Sequence, residues 1–176
     1  AGMIRLVPRA EFSELFPNGA PALGFEDQAG TPYAVERLPL LSPLGAPCNP
    51  PPWGTLVAVN IAEGEIRWDV PLGTAEGMAP FPVYKFMAKG VPNLGGPITT
   101  ASGLAFIGAA TDPYLRAFST ETGEELWRAK LPTAAQATPL TYRASPEGRQ
   151  LVVIAAGGHG LLGVPINDAV VAFALP

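Results

Sequence analysis

The chain has 176 residues and a net charge of −4, with 15% charged and 48% hydrophobic residues, 20 glycines and 21 prolines. High apolar content with low charge excludes a disordered tail, and the lack of any run of Lys or Arg argues against nucleic acid as a partner. One cysteine, Cys48, and one histidine, His159, exclude an internal disulfide and a Cys/His zinc site.

Residues 1–55 read as an irregular, proline-rich segment. Within it, Pro8 to Phe16 suits a short helix with proline near its first turn. No charged-then-apolar leader is expected at the start.

Residues 56–92 open with a strand, Leu56 to Val59, followed by Ala58-Val-Asn-Ile-Ala-Glu-Gly64-Glu-Ile-Arg-Trp68. The same pattern returns as Ala117-Phe-Ser-Thr-Glu-Thr-Gly123-Glu-Glu-Leu-Trp127, so both read A-x-[NS]-x-x-x-G-x-x-x-W, and a third start stands at Ala172-Phe173. The physical reading is strand, tight turn, returning strand. Asn60 or Ser119 bonds local backbone to start the turn, Gly64 or Gly123 supplies positive φ, and the Trp packs between neighbouring sheets.

Residues 93–131 predict a complete four-stranded unit over Pro97–Ala101, Leu104–Gly108, Tyr114–Phe118 and Glu125–Lys130. Residues 132–176 predict three strands, Ala137–Tyr142, Gln150–Ala155 and Ala169–Ala174. Four antiparallel strands per fifty-odd residues is the pattern of propeller blades. The expected fold is all-β: about two and a half four-stranded blades forming the C-terminal portion of a larger ring. The uncharged run Leu151 to Asn167 is broken by glycines and Pro165 and is a poor transmembrane helix.

Several strings carry a resemblance: Gly30-Thr-Pro-Tyr33, Ser42 to Asn49, Pro51-Pro-Trp-Gly-Thr-Leu56, Gly95 to Gly108, Leu115-Arg-Ala-Phe118, Gln136-Ala-Thr-Pro139, Ala156-Gly-Gly-His-Gly160 and Ala172 to Pro176. The chain resembles the C-terminal part of the membrane-bound, pyrroloquinoline-quinone (PQQ)-dependent glucose dehydrogenase family, which includes quinate/shikimate and polyol dehydrogenases. The Trp motif is shared by every quinoprotein propeller and by non-enzymatic relatives; CNPPPWGTL with AGGHG is more specific. The resemblance implies an eight-bladed propeller, oxidation of a sugar or cyclic polyol in the periplasm, attachment to the inner membrane through an upstream segment, and electron transfer to ubiquinone. It also implies a Ca2+ or Mg2+ ion on the cofactor, a hard cation wanting oxygen ligands. The family's catalytic aspartate, metal ligands, basic residue beside the quinone and stacking Trp lie upstream of the matched region. No catalytic residue and no metal ligand is therefore expected in this chain, which alone should be inactive and should need the rest of the propeller.

The candidate cofactor-binding residues are His159, Asp112, Asn93, Gly95, Gly96, Trp53 and Asn49. His159 stands between glycines directly after a strand, where backbone approaches a ligand closely; the plain alternative is a histidine in a surface loop. The accompanying Gly158, Gly160 and Gly163 do not make a dinucleotide fingerprint, because Pro165 follows and no acidic residue stands at the required distance. Asp112 in Ala110-Thr-Asp-Pro113 offers a carboxylate to a cation or the quinone edge, or simply makes an Asp-Pro turn. Asn93 with Gly95 and Gly96 opens a strand toward the inner channel, or is a plain turn. Asn49, Pro51 and Trp53 form a polar-aromatic corner, with Trp53 more often packing than pocket wall. Trp68 and Trp127 are structural, Cys48 is expected to be a buried, inert thiol, and Glu121, Glu124, Glu125, Arg128 and Lys130 read as a solvated face. The competing function is a non-catalytic propeller scaffold. Uncovered blade faces are expected to make the isolated chain self-associate.

Overall fold

The computed structural model describes residues 2–17, 24–43, 47–76, 82–87 and 89–174. Leu44 to Ala46 of the Ser42–Asn49 string, and Leu175-Pro176 of the terminal one, lie outside them. The chain divides into two compact units, Ala1–Pro50 and Pro51–Pro176, so the break falls five residues ahead of the expected 55/56 boundary.

The first unit is more regular than its proline content suggests. Strands β1 (Gly2–Pro8), β2 (Phe25–Glu26) and β3 (Tyr33–Pro39) form an antiparallel sheet in the order β1-β3-β2, with β1 paired along its whole length from Gly2↔Pro39 to Pro8↔Tyr33. Helix α1 (Arg9–Leu15) follows β1 directly and buries Phe12 against Val7 and Ala34. Phe12, Phe16 and Phe25 stack in tilted pairs 4.7–6.5 Å apart. The predicted helix over Pro8–Phe16 is thus present, one residue shorter at each end, because Pro8 cannot donate and closes the strand instead.

The second unit holds three antiparallel sheets. Strands β4 (Thr55–Asn60) and β5 (Glu65–Pro71) form a hairpin. Strands β6 (Ile98–Thr99), β7 (Leu104–Ile107), β8 (Tyr114–Ser119) and β9 (Glu125–Lys130) form a four-stranded meander, and β10 (Leu140–Arg143), β11 (Gln150–Ala156) and β12 (Ala169–Ala174) a three-stranded one. Side-chain alternation builds the layers. From β7, Ala105 and Ile107 face the hairpin with Leu72, Val91 and Phe118, while Phe106 faces the third sheet with Leu115, Ile154, Val171 and Phe173. The central sheet is therefore apolar on both faces, as sheets stacked in a propeller must be.

Both copies of the Trp motif fold alike. Gly64 and Gly123 have φ of +71° and +74°. Asn60 Oδ1 accepts from the Ala62 N–H at 3.1 Å, and Ser119 Oγ from the Glu121 and Thr122 N–H groups at 3.3 and 3.2 Å. Each copy also carries a register shift before its turn, at Ala58/Val59 and Ala117/Phe118. The indole of Trp68 donates to the Thr120 carbonyl at 3.1 Å and lies on Gly123, where a Cβ would stand 2.8 Å from the ring. Trp127 meets Phe106 and Phe173 edge-on, with ring centroids 6.4 and 5.3 Å away. Both rings join adjacent sheets.

Candidate functional site

Strands of the second unit alternate in direction, so its connections fall at two ends. The glycine turns after β4 and β8 share one end. The start of β4, the β5–β6 connection, the β7–β8 turn, the β9–β10 connection and the β11–β12 loop share the other. Trp53, Asn93, Gly95, Gly96, Asp112 and His159 all lie at this second end. Asn49 belongs to the first unit, where its side-chain amide donates to the Pro50 carbonyl at 3.4 Å, and the neighbouring Cys48 is exposed rather than buried.

The β9–β10 connection stitches that end together. Leu131 N–H donates to the Pro113 carbonyl at 2.8 Å, and Ala134 carbonyl accepts from the Gly158 N–H at 3.0 Å. Thr133 Oγ1 donates to the Pro165 carbonyl at 2.8 Å. Gln136 uses both halves of its amide: Oε1 accepts from the Leu94 N–H at 3.1 Å and Nε2 donates to the Ala110 carbonyl at 2.9 Å. One side chain thus holds the strand opening at Asn93–Gly96 against the β7–β8 turn. Asn93 itself bridges Ala110. Gly95 has no room for a side chain, since a Cβ would sit 2.8 Å from the Gln136 carbonyl and 3.1 Å from Ala109. Ala109 is held at φ +42°, a backbone setting alanine rarely adopts. Gly96 is looser, with Thr138 Oγ1 3.2 Å from a Cβ position. Trp53 is half-buried and its backbone N–H donates to the Gly90 carbonyl at 3.0 Å, which fixes the entry to β4.

His159 sits in a loop closed by backbone bonds. His159 and Val164 exchange N–H···O bonds of 3.3 and 3.1 Å around a short 3-10 turn, Gly160–Leu162, and Asn167 N–H donates to the Gly157 carbonyl at 3.0 Å. Gly158 has φ +69°, and a Cβ there would overlap the Pro165 carbonyl, so only glycine allows this path. The loop is anchored on both sides rather than free. His159 Nδ1 is buried and has no hydrogen-bond partner; among the described residues Thr111 Oγ1, in the β7–β8 turn, is the other such atom. Buried polar atoms are nearly always paired, with protein or with ordered water, and these two lie in loops of the same end.

Asp112 is fully buried and spoken for. Its carboxylate takes both terminal nitrogens of Arg116, and accepts from the Thr74 N–H at 2.7 Å and the Thr74 hydroxyl at 2.8 Å. Arg116, 1% exposed, also donates from Nε to Glu125 at 3.2 Å. Burial works to lower the guanidinium pKa, but the Asp112 hydrogen bond and charge outweigh it and hold it above its ordinary value. Asp112 therefore presents its charge to a cation inside the protein, where it ties the β5–β6 connection to the central sheet. Glu125 belongs to this network, so the outer-strand charges are not merely a solvated face. Sequence reading missed Gln136 as the clasp and Arg116 as the partner of Asp112. The only signals were a polar Gln opening a strand and a charged residue inside an apolar strand, Leu115-Arg-Ala-Phe118. Among the described residues no group of three or more His, Cys, Asp or Glu side chains is placed to hold a metal ion.

Residues 1–152 match the β-propeller domain of the PQQ glucose/ethanol/alcohol dehydrogenases. The chain is 46% identical over 155 residues to the quinoprotein glucose dehydrogenase of Escherichia coli (strain K12), covering 87% of this chain and 19% of that protein. It is 40% identical over 161 residues to the quinate/shikimate dehydrogenase (quinone) of Acinetobacter baylyi, covering 87% of this chain and 19% of that protein. The quinohemoprotein alcohol dehydrogenase of Comamonas testosteroni superposes with a TM-score of 0.51 at 25% identity, over 89% of this chain and 19% of that structure. The chain thus spans about a fifth of the length of the relatives it matches. With three stacked antiparallel sheets and the repeated Trp turns, it belongs to the PQQ β-propeller dehydrogenase family.

Proposed function

We propose that this chain is part of a PQQ-dependent dehydrogenase that oxidises a sugar or cyclic polyol, and that its loop-bearing end walls the cofactor chamber. The observation that carries this reading is the His159 loop. A glycine path with no room for a side chain presents an imidazole whose buried Nδ1 lacks a partner. A scaffold gains nothing from an unpaired buried nitrogen, which costs about 1–3 kcal/mol.

The residues fit a flat, oxygen-rich cofactor. The His159 imidazole offers its other ring nitrogen to a ligand oxygen. Gly95 sets its backbone against Gln136 and Ala109, where a Cβ would not fit, and so fixes the strand opening that Asn93 begins. Trp53 contributes an apolar wall. Asp112 supports this surface from behind, through Arg116 and Thr74, rather than touching the cofactor. PQQ, when bound, supplies a two-electron acceptor for an alcohol. The divalent ion, its ligands and the catalytic base belong to the remainder of the propeller. By the same family likeness, electrons leave to ubiquinone, and the protein works in the periplasm, tethered to the inner membrane.

The test uses the full-length protein reconstituted with PQQ and Ca2+ or Mg2+. Dye reduction is followed against a panel of aldoses and cyclic polyols, beside His159→Asn. Cofactor-dependent reduction with one substrate class is expected, with a changed rate or preference in the variant. A folded protein inactive with every substrate would instead favour a scaffold.

A further inference from the structure

We propose that Gln136 is a positioning residue for the cofactor, which acts by holding the strained turn between β7 and β8 in the shape that walls the chamber. This rests on the assignment of the loop end to PQQ. The turn has an uncommon backbone. Ala109 sits at φ +42°, and the Ala110 N–H folds straight back onto the Gly108 carbonyl at 2.5 Å. A three-residue turn with positive φ at its centre is rare and strained. Glycine would take it freely. Alanine takes it only where its surroundings over-determine the conformation, and such strain gathers at functional sites.

The clasp supplies that constraint. Gln136 Nε2 donates to the Ala110 carbonyl at 2.9 Å, and Oε1 accepts from the Leu94 N–H at 3.1 Å. The same N–H is shared with the Ala109 carbonyl at 3.2 Å. One amide thus ties the strained turn to the strand opening that faces it. Packing leaves the turn no slack. Ala109 and Ala110 are wholly buried, and a Cβ at Gly108 would stand 2.7 Å from Ile154 and 3.0 Å from the Ala135 carbonyl.

The turn carries residues whose placement matters. Asn93 bridges Ala110, Thr111 buries its hydroxyl next in the chain, and Asp112 reaches Thr74 and Arg116. An alanine released from the clasp falls back toward negative φ and moves all three. With glycine at position 109 the same release has little force behind it, because glycine holds either sign of φ about equally. Loss of the Gln136 amide therefore matters most when residue 109 is alanine.

The experiment titrates the apo form of the full-length protein with PQQ, read by absorbance, under conditions where circular dichroism shows every variant folded. Gln136→Met should weaken PQQ about tenfold. Gln136→Glu, which keeps the acceptor for Leu94 but turns an oxygen toward the Ala110 carbonyl, should lose as much without a change of size. Ala109→Gly alone should bind like the parent, and combined with Gln136→Met it should shrink the loss to about threefold. Trp68→Phe, destabilised at the other end of the blades, should keep the parent's affinity. Unchanged affinity in both Gln136 variants overturns the proposal. So does a full tenfold loss in the double variant, or an equal loss in Trp68→Phe, which would make affinity follow stability alone. A parent that binds no PQQ overturns the chamber assignment and this proposal together. A parent weakened by His159→Ala but by neither Gln136 variant overturns this proposal alone.

Discussion

The two ends of the blades are built on different principles. At the turn end, each tight turn is shaped by its own residues: Asn60 or Ser119 caps the turn, Gly64 or Gly123 takes positive φ, and the pattern recurs 59 residues later. At the loop end, satisfaction comes from far away. Gln136 serves Leu94 and Ala110, Thr133 serves Pro165, and Asp112 serves Thr74. Local closure yields a repeat that any blade can use. Distant closure yields a one-off surface, and the two buried side-chain polar atoms without partners among the described residues, Thr111 Oγ1 and His159 Nδ1, lie at that end.

The largest expected effect breaks the loop end at its centre. Asp112→Ala strands the buried Arg116 guanidinium and should destabilise the fold by about 3–5 kcal/mol, whereas Asp112→Leu with Arg116→Met should cost much less. Denaturant unfolding of both variants checks this. Equal losses would mean that the ion pair itself, rather than the unpaired charge, carries the stability. Gly158→Ala comes next, at roughly 2–4 kcal/mol, because its Cβ overlaps the Pro165 carbonyl at positive φ.

The turn end offers an internal control. Nothing lies within 4 Å of a Cβ at Gly64, whereas at Gly123 the Trp68 ring stands 2.8 Å away. Gly64→Ala should therefore cost about 1 kcal/mol, from φ alone, and Gly123→Ala roughly 1–3 kcal/mol more. Trp68→Phe, which deletes the indole bond to Thr120 and part of the ring that lies on Gly123, should cost roughly 1–3 kcal/mol.

How far each end was legible follows from the same contrast. The Asn/Ser-to-Gly spacing and the returning Trp reveal the hairpins, because cap, turn and strand lie within one window. The four strands of the central sheet follow, and the family resemblance rests on strings from both ends. The register shifts at Ala58 and Ala117 leave no mark in composition. In the first unit, Gly2–Pro8 pairs with Tyr33–Pro39 across a helix and a second strand, a partnership no local pattern announces. His159 is visible because glycines flank it. The pairing of Asp112 with Arg116 four residues on is hidden, because strand spacing does not tell which face a turn carboxylate will reach. The clasp of Gln136 on Leu94 and Ala110 is equally hidden, since 42 and 26 residues separate the partners.

The smallest effect concerns acid. Glu76 is held below its ordinary value, first by the Lys130 hydrogen bond. Its stabilising contribution is present above the unfolded carboxylate pKa and is lost as pH falls through the depressed folded value. Thermal unfolding across the acid range should show a slightly shallower loss for Glu76→Gln than for the parent. Parallel curves would place the ion pair outside the stability of the fold.

The most direct test compares the two ends as binding surfaces. The apo form of the full-length protein is titrated with PQQ and followed by absorbance, with His159→Ala and Gly64→Ala beside the parent. Affinity should fall about tenfold in His159→Ala, as expected for one lost buried hydrogen bond, and stay unchanged in Gly64→Ala. Unchanged affinity in a folded His159→Ala would contradict the assignment of the loop end to the cofactor chamber.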